Sequence, residues 1–251
     1  MEISTFVGVS RDGESGYKPI NLTSMKTLTL LLSIVLCCPL ALFGQSAAVL
    51  LEKVAEALAS GNDEYAVSLF RQSAVADAEQ TEMFYWTHVN KNAAVTPRLA
   101  QELAVRYKKI RNYDKAYLFY REVLQAHPQD VPTLVSCAEV QLMRGESDDA
   151  KRIYEQVMTL DPENLQANIF LGNYFYLQAE RARNKLNEDY RKIASPTRMQ
   201  YARYRNSLSD IFSNSYSKAR TYLQKVLQLF PSTEAGKTLE KIKSIELEMN
   251  R

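Results

Sequence analysis

The chain has 251 residues, 46% hydrophobic and 24% charged with only 8 Gly and 8 Pro, which points to a folded, helix-tolerant globular protein of one or two domains or a single repeat array. A formal net charge of +2 excludes a whole-chain electrostatic attraction for nucleic acid or an anionic membrane surface. Two His and three Cys leave little material for a metal centre or for nucleophilic catalysis.

From the N-terminus, residues 1–24 are polar and contain glycine, unlike the start of an export signal, so Met25 is read as the initiator and 1–24 as an over-long extension. From Met25 the pattern is that of an export signal: Lys26 supplies positive charge, Leu28 to Phe43 is apolar, and Gly44 and Ser46 fit the −3 and −1 positions of a cleavage site, with cleavage just after Gly44 the alternative. The signal peptide therefore spans 25–46, and the expected location is outside the cytoplasm, in a bacterial periplasm. Left uncleaved, the same stretch of about 18 apolar residues is just long enough to anchor the protein in a bilayer, its one expected membrane contact. Cys37 and Cys38 follow Leu36, where a lipoprotein signal wants Gly or Ala. Removal of the signal leaves Cys137 as the one cysteine of the mature chain, so no intramolecular disulfide forms and stability must come from packing.

Residues 47–80 hold a turn at Gly61, then Ala66 and Phe70. A connector over 79–96 carries Phe84, Tyr85 and Trp86, whose large apolar surfaces are expected to pack against the neighbouring helices. Two contiguous stretches of equal length follow, 97–130 and 131–164. Each starts with small or apolar residues: Leu103, Ala104 and Tyr107 in one, Cys137 and Ala138 in the other. Each continues with a polar turn ("IRNYDK", "RGESDD"), an alanine, an aromatic residue four positions later and a closing proline: Ala116, Tyr120, Pro128 and Ala150, Tyr154, Pro162. An alanine permits close approach where two helices cross, the aromatic lies one turn later on the same face, and the proline lacks the backbone donor a helix needs to continue. This pattern resembles the tetratricopeptide repeat, a helix–turn–helix unit with a period of about 34 residues. The expected fold is an all-α, TPR-type solenoid of about four repeats: 47–80, 97–130, 131–164 and an interrupted fourth over 165–231.

The fourth unit opens with Leu171, Gly172 and Phe175, but strict periodicity puts Asn184 where its alanine belongs. The matching second half comes late, with Ala219, Leu223, Val226 and Pro231, an offset of 35 residues from 184 to 219. An insertion of that length occupies 179–213, centred on Pro196, and reads as an extended helical hairpin with Ser195 as N-cap and Pro196 as the first residue of the returning helix. The expected seams are Ala179, Ala182, Leu186, Tyr190 and Ile193 on the incoming arm, and Tyr201, Tyr204, Leu208, Ile211 and Ser215 on the returning one. About 17 extra residues per arm at 1.5 Å each project the hairpin roughly 25 Å. Eight basic residues against four acidic ones give 179–213 a charge of +4. The tip residues Arg198, Tyr201, Tyr204 and Arg205 form a candidate docking prong, Tyr and Arg being favoured interface anchors; an export signal argues against nucleic acid as their target. Residues 232–250, with Ala235, Leu239 and Ile242 on one face, read as a helix capping the open end of the array.

No catalytic constellation, cofactor motif or metal-ligand spacing is present: no Cys or acidic metal-ligand spacing surrounds His88 or His127, and Cys137 falls on a packing position. The resemblance implies instead a protein or peptide partner, held in a groove lined by the first helix of each repeat. By position that groove comprises Arg98, Gln101, Val105, Lys108 and Lys109, then Val135, Glu139, Leu142 and Met143, then Ile169, Asn173 and Tyr176. Chaperone-binding members clamp a C-terminal carboxylate with Lys, Asn and Arg. Here the equivalent positions Gln101, Val135 and Ile169 do not reproduce that set, which favours a ligand of mixed apolar and polar character. The expected role is an exported, non-enzymatic scaffold or adaptor; the alternative is a structural subunit of a cell-envelope assembly, anchored by the hairpin.

Overall fold

The computed structural model describes residues 46–249, and the export segment read from Met25 lies almost entirely outside them. Every regular element among the described residues is helical. In chain order these are α1 (Ala47–Ala59), α2 (Asp63–Ala76), α3 (Ala78–His88), α4 (Thr96–Lys109), α5 (Tyr113–Ala126), α6 (Val131–Met143), α7 (Ser147–Leu160), α8 (Leu165–Arg191), α9 (Arg198–Ile211), a π-helical turn (Phe212–Tyr216), α10 (Ser217–Leu229) and α11 (Thr233–Met249). Helices pack in the pairs α1/α2, α4/α5, α6/α7 and α8/α10, and each pair stacks on the next.

The pairing follows from residues that recur every 34 positions. Ala104, Ala138 and Gly172 are equivalent and buried, as are Ala116 and Ala150, with Ala219 taking that role after the insertion. Around these contacts the core fills in register: Leu103, Cys137 and Leu171 on the first helices; Tyr120, Tyr154 and Leu223, then Val123, Val157 and Val226, on the second. Caps recur too. Asn62 and Asn112 accept backbone N–H bonds from Tyr65 and Lys115 at the start of α2 and α5, and Asp130 and Asn164 do the same for α6 and α8. The turns inside the repeats need one residue in the left-handed region, supplied by Gly61 (φ 71°), Arg111 (φ 62°) and Gly145 (φ 85°).

The connector carries a helix of its own, which the repeat spacing does not predict. Residues 78–88 form α3, capped by Asp77, whose side chain accepts from Gln80 N at 2.9 Å. Its Tyr85 is buried edge-on to Phe119 (5.4 Å between ring centroids), Trp86 stacks on the same ring (5.5 Å), and Tyr107 stacks on it from the other helix of the pair (5.9 Å). The Tyr107 hydroxyl also bonds the Glu82 carboxylate, which receives Lys115 Nζ at 2.7 Å. The connector is thereby tied to the second repeat by both apolar and polar contacts.

In the fourth repeat the first helix does not stop. Where earlier units turn at Arg111 and Gly145, α8 carries Ala179 within the run "QAERAR", all residues that extend a helix. The chain reverses at 192–197, and Pro196 is exposed. The returning helix starts two residues later than expected, because Thr197 and Gln200 form a capping box that satisfies two backbone donors reciprocally, whereas Ser195 lies in the turn. Ala182 is exposed and Arg183 takes the inward position instead. On the returning arm Tyr216, rather than Ser215, faces the core, since the π-helical turn inserts one residue into the helical register between α9 and α10. The hairpin also does not stand free over its whole length: α11 reaches along its base, where the Arg205 guanidinium bonds the Met249 carbonyl. Along the same stripe α11 buries Ala235, Ile242 and Ile245 with Leu239 alongside, packing against α10.

Candidate partner-binding surface

The first helices α4, α6 and α8 each place a row of residues at equivalent positions, one repeat apart. On these rows Val105, Met143 and Ile169 are exposed, and Met143 is 62% accessible. Leu177, 52% accessible, belongs to the row with Lys109 and Met143; sequence reasoning missed it although the 34-residue spacing points straight to it. Asn173 and Lys109 are likewise exposed. Val135, Leu142 and Tyr176 are half-buried and pack onto the core, Tyr176 edge-on to Tyr216 (6.1 Å). They belong more to the wall than to the open face. Between rows, Lys108 on α4 bonds Glu139 on α6. Both groups are about one-third exposed, so the pair is worth about 0.2–1 kcal/mol and serves mainly to fix the two helices' polar edge.

Arg98 is already engaged with Glu64 of α2 at 2.7 Å, and Arg71 with Glu102 through two bonds of 2.7 Å. Beside them a cleft of about 540 Å³ opens between α2, α4 and the corner joining α5 to α6, lined among others by Arg98, Gln101, Val123, His127 and Thr133. The Gln101 side-chain oxygen is buried there without a hydrogen-bond partner.

At the hairpin tip the four expected residues separate. Arg198 and Tyr201 are exposed, as is Met199. Tyr204 is instead stacked on Tyr190 (4.3 Å) with its hydroxyl donating to Asn187 Oδ1 at 2.8 Å, and Arg205 is turned toward Met249. Two of the four therefore hold the hairpin together.

Among the described residues no group of three or more His, Cys, Asp or Glu is placed to hold a metal ion, and no helix is long and apolar enough to cross a membrane. His88 stacks on Phe84 (4.9 Å). Burial pushes the Cys137 thiol up to about 11. Its thiolate is therefore scarce near neutrality: relative to an ordinary thiol of pKa about 8.5, alkylation at pH 8 should slow roughly 200-fold from ionisation alone. Mass spectrometry of the Cys137 peptide after iodoacetamide treatment checks this. Equal labelling of folded and urea-unfolded protein would contradict the burial. The same shift has a linkage consequence. The folded state holds the thiol proton more tightly, so the thiol's contribution to stability is intact below about pH 8.5 and declines as pH rises toward 11.

The comparisons with known proteins agree with this geometry. The family model described as a tetratricopeptide repeat matches residues 111–169. A Bacteroides ovatus protein of known crystal structure, named only as a candidate protein-binding protein, is 55% identical, with a TM-score of 0.74 over 82% of this chain and 100% of its own. Also similar are MamA (19% identity, TM-score 0.34, 61% of this chain and 85% of that one) and a thermophilic TPR protein of Thermus thermophilus (13%, 0.31, 80% and 100%). No curated protein matches. With the repeat positions filled and stacked as described, and a relative so similar over its full length, the chain belongs to the tetratricopeptide-repeat family.

Proposed function

We propose that this protein is an exported, non-enzymatic scaffold that holds a protein partner along the rows of α4, α6 and α8. The observation that carries the reading is the run of exposed apolar side chains Val105, Met143, Ile169 and Leu177 on successive first helices, flanked by Lys109 and Asn173. Surface of that kind costs free energy to leave in water and gains it when covered. The likeness to a protein named for protein binding supports the same role. Export rests on the charged, apolar and small-residue pattern from Met25. Ser46 adds a physical reason to place cleavage after Gly44: its side chain caps α1, accepting from Val49 N at 3.4 Å. A cut after Ser46 would leave an ammonium at a helix N-terminus, against the dipole.

The test is photocrosslinking in intact cells from Met143 and Ile169, with Gln224 on α10 as the off-surface control, followed by binding measurements on the purified partner. Val105→Glu, Met143→Glu and Ile169→Glu should each weaken that partner at least tenfold, since they place a charge in an apolar contact without entering the core. Equal crosslinking from Gln224, or unchanged affinity in all three variants, would remove the reading. The intact mass of the exported protein should correspond to a chain beginning at Gln45. The exposed Met199 and Tyr201 favour a second reading, a structural subunit anchored by the hairpin. In that case deletion of 179–213 abolishes the partner while the three glutamate variants keep it.

A further inference from the structure

A small cleft lies away from these rows, where the hairpin meets the C-terminal helix. Its volume is about 160 Å³, and its lining includes Arg183 from α8, Tyr201, Tyr204 and Arg205 from α9, and Ile245 and Glu248 from α11. Ligand pockets for small molecules run to about 300–1,000 Å³, so this cleft has room for one side chain rather than a cofactor.

The charges in it are unevenly matched. Among the described residues Arg183 has one bond, to Glu180 at 3.3 Å, while its Nε is buried with no hydrogen-bond partner. Glu180 is itself shared, because it also accepts from the Tyr216 hydroxyl. Arg205 spends one nitrogen on the Met249 carbonyl, a neutral acceptor, and has no carboxylate partner among the described residues. The opposing charge in the lining is Glu248, which is exposed. A buried guanidinium N–H left without an acceptor costs more than an ordinary missing bond, and a charged acceptor relieves most of that cost. Around these charges the lining mixes polar and apolar surface: Asn187 and the Tyr201 and Tyr204 side chains beside Leu208, Ile245 and Met249. The best match to such a lining over two cations is a carboxylate carried on methylenes.

We propose that this cleft between the hairpin and α11 is a docking site for an acidic side chain, a glutamate, of a protein partner. The site lies on the insertion, whose charge over 179–213 is +4, so the surrounding field also favours an acidic segment. It is independent of the surface on α4, α6 and α8, and either can fail without the other.

The probe is an acetylated, amidated hexaglutamate peptide, with hexaglutamine and inorganic phosphate as comparisons, titrated into the ¹⁵N-labelled full-length protein at constant ionic strength. Hexaglutamate should move the Arg183 and Arg205 Nε–Hε resonances saturably, whereas hexaglutamine and equimolar phosphate should not. Arg183→Gln and Arg205→Gln should each weaken the peptide at least tenfold, while Arg198→Gln at the exposed tip should change affinity less than threefold. Met143→Glu, on the other surface, should leave it unchanged. Should Arg183→Gln unfold, the resonances of the unsubstituted protein and the Arg205→Gln affinity still decide. The proposal is overturned by an equal response to phosphate, by affinity losses shared evenly among all hairpin arginines, or by Nε–Hε signals that stay still as peptide is added.

Discussion

Replacing Gly172 by valine should lower stability by about 3 kcal/mol, the upper end of what overpacking a tight core costs. A Cβ at this position would sit 2.8 Å from both Cγ and Cδ2 of Leu223 and 3.4 Å from Cβ of Tyr222. Leu223, on α10, has no room to turn away: it is 2% exposed and belongs to the core cluster shared with α8 and the capping helix. The helices must therefore part. Alanine should cost less, because it recovers about 1 kcal/mol of helix propensity while meeting the same contact. A double-mutant cycle gives the sharper form. Leu223→Ala alone should cost about 2–5 kcal/mol by leaving a cavity. Combined with Gly172→Ala it should cost at least 1 kcal/mol less than the sum of the two, since the added methyl occupies space the leucine vacates. Urea unfolding followed by far-ultraviolet circular dichroism measures all four proteins. Strict additivity would mean that the two helices do not touch at this point.

Phe119→Ala should be the most damaging truncation in the N-terminal half, at about 3–5 kcal/mol. Its ring is fully buried and meets Tyr85, Trp86 and Tyr107 at once, so removing it empties the joint between α3 and the second repeat. Trp86→Ala is the control. That side chain is 41% exposed and gives up part of its contact to solvent already, so its loss should cost less than about 2 kcal/mol. Hydrogen exchange locates the effect: in Phe119→Ala the amides of α3 should lose protection before those of α6 and α7. Uniform loss of protection across the array would mean that the joint is not a separate unit.

These two sites show how unevenly the structure could be read from sequence. The repeat spacing exposed Gly172 as a packing position directly, because Ala104 and Ala138 precede it at intervals of 34. Helix α3 gave no such signal. Its apolar residues do not line one face, and its order depends on Phe119, a residue more than thirty positions away. The hairpin fell between. Its existence and its centre at Pro196 followed from the displaced alanine at 219. Its seam did not, because the π-helical turn at Phe212–Tyr216 shifts the facing residue by one and leaves no mark that periodicity can read.

The helical class, the pairing of helices, the register of the core and the place where the array is interrupted can all be read from the order of residues. All of these depend on local rules: small residues where backbones cross, turn residues with left-handed freedom, caps at fixed offsets. Long-range packing sets which members of the expected binding rows are open. It also makes Tyr204 and Arg205 brace the hairpin rather than project from it, and brings Arg183 to α11 across a cleft. Those outcomes depend on contacts between residues far apart in the chain, such as Arg205 with Met249, for which the pattern of neighbours along a helix carries no information.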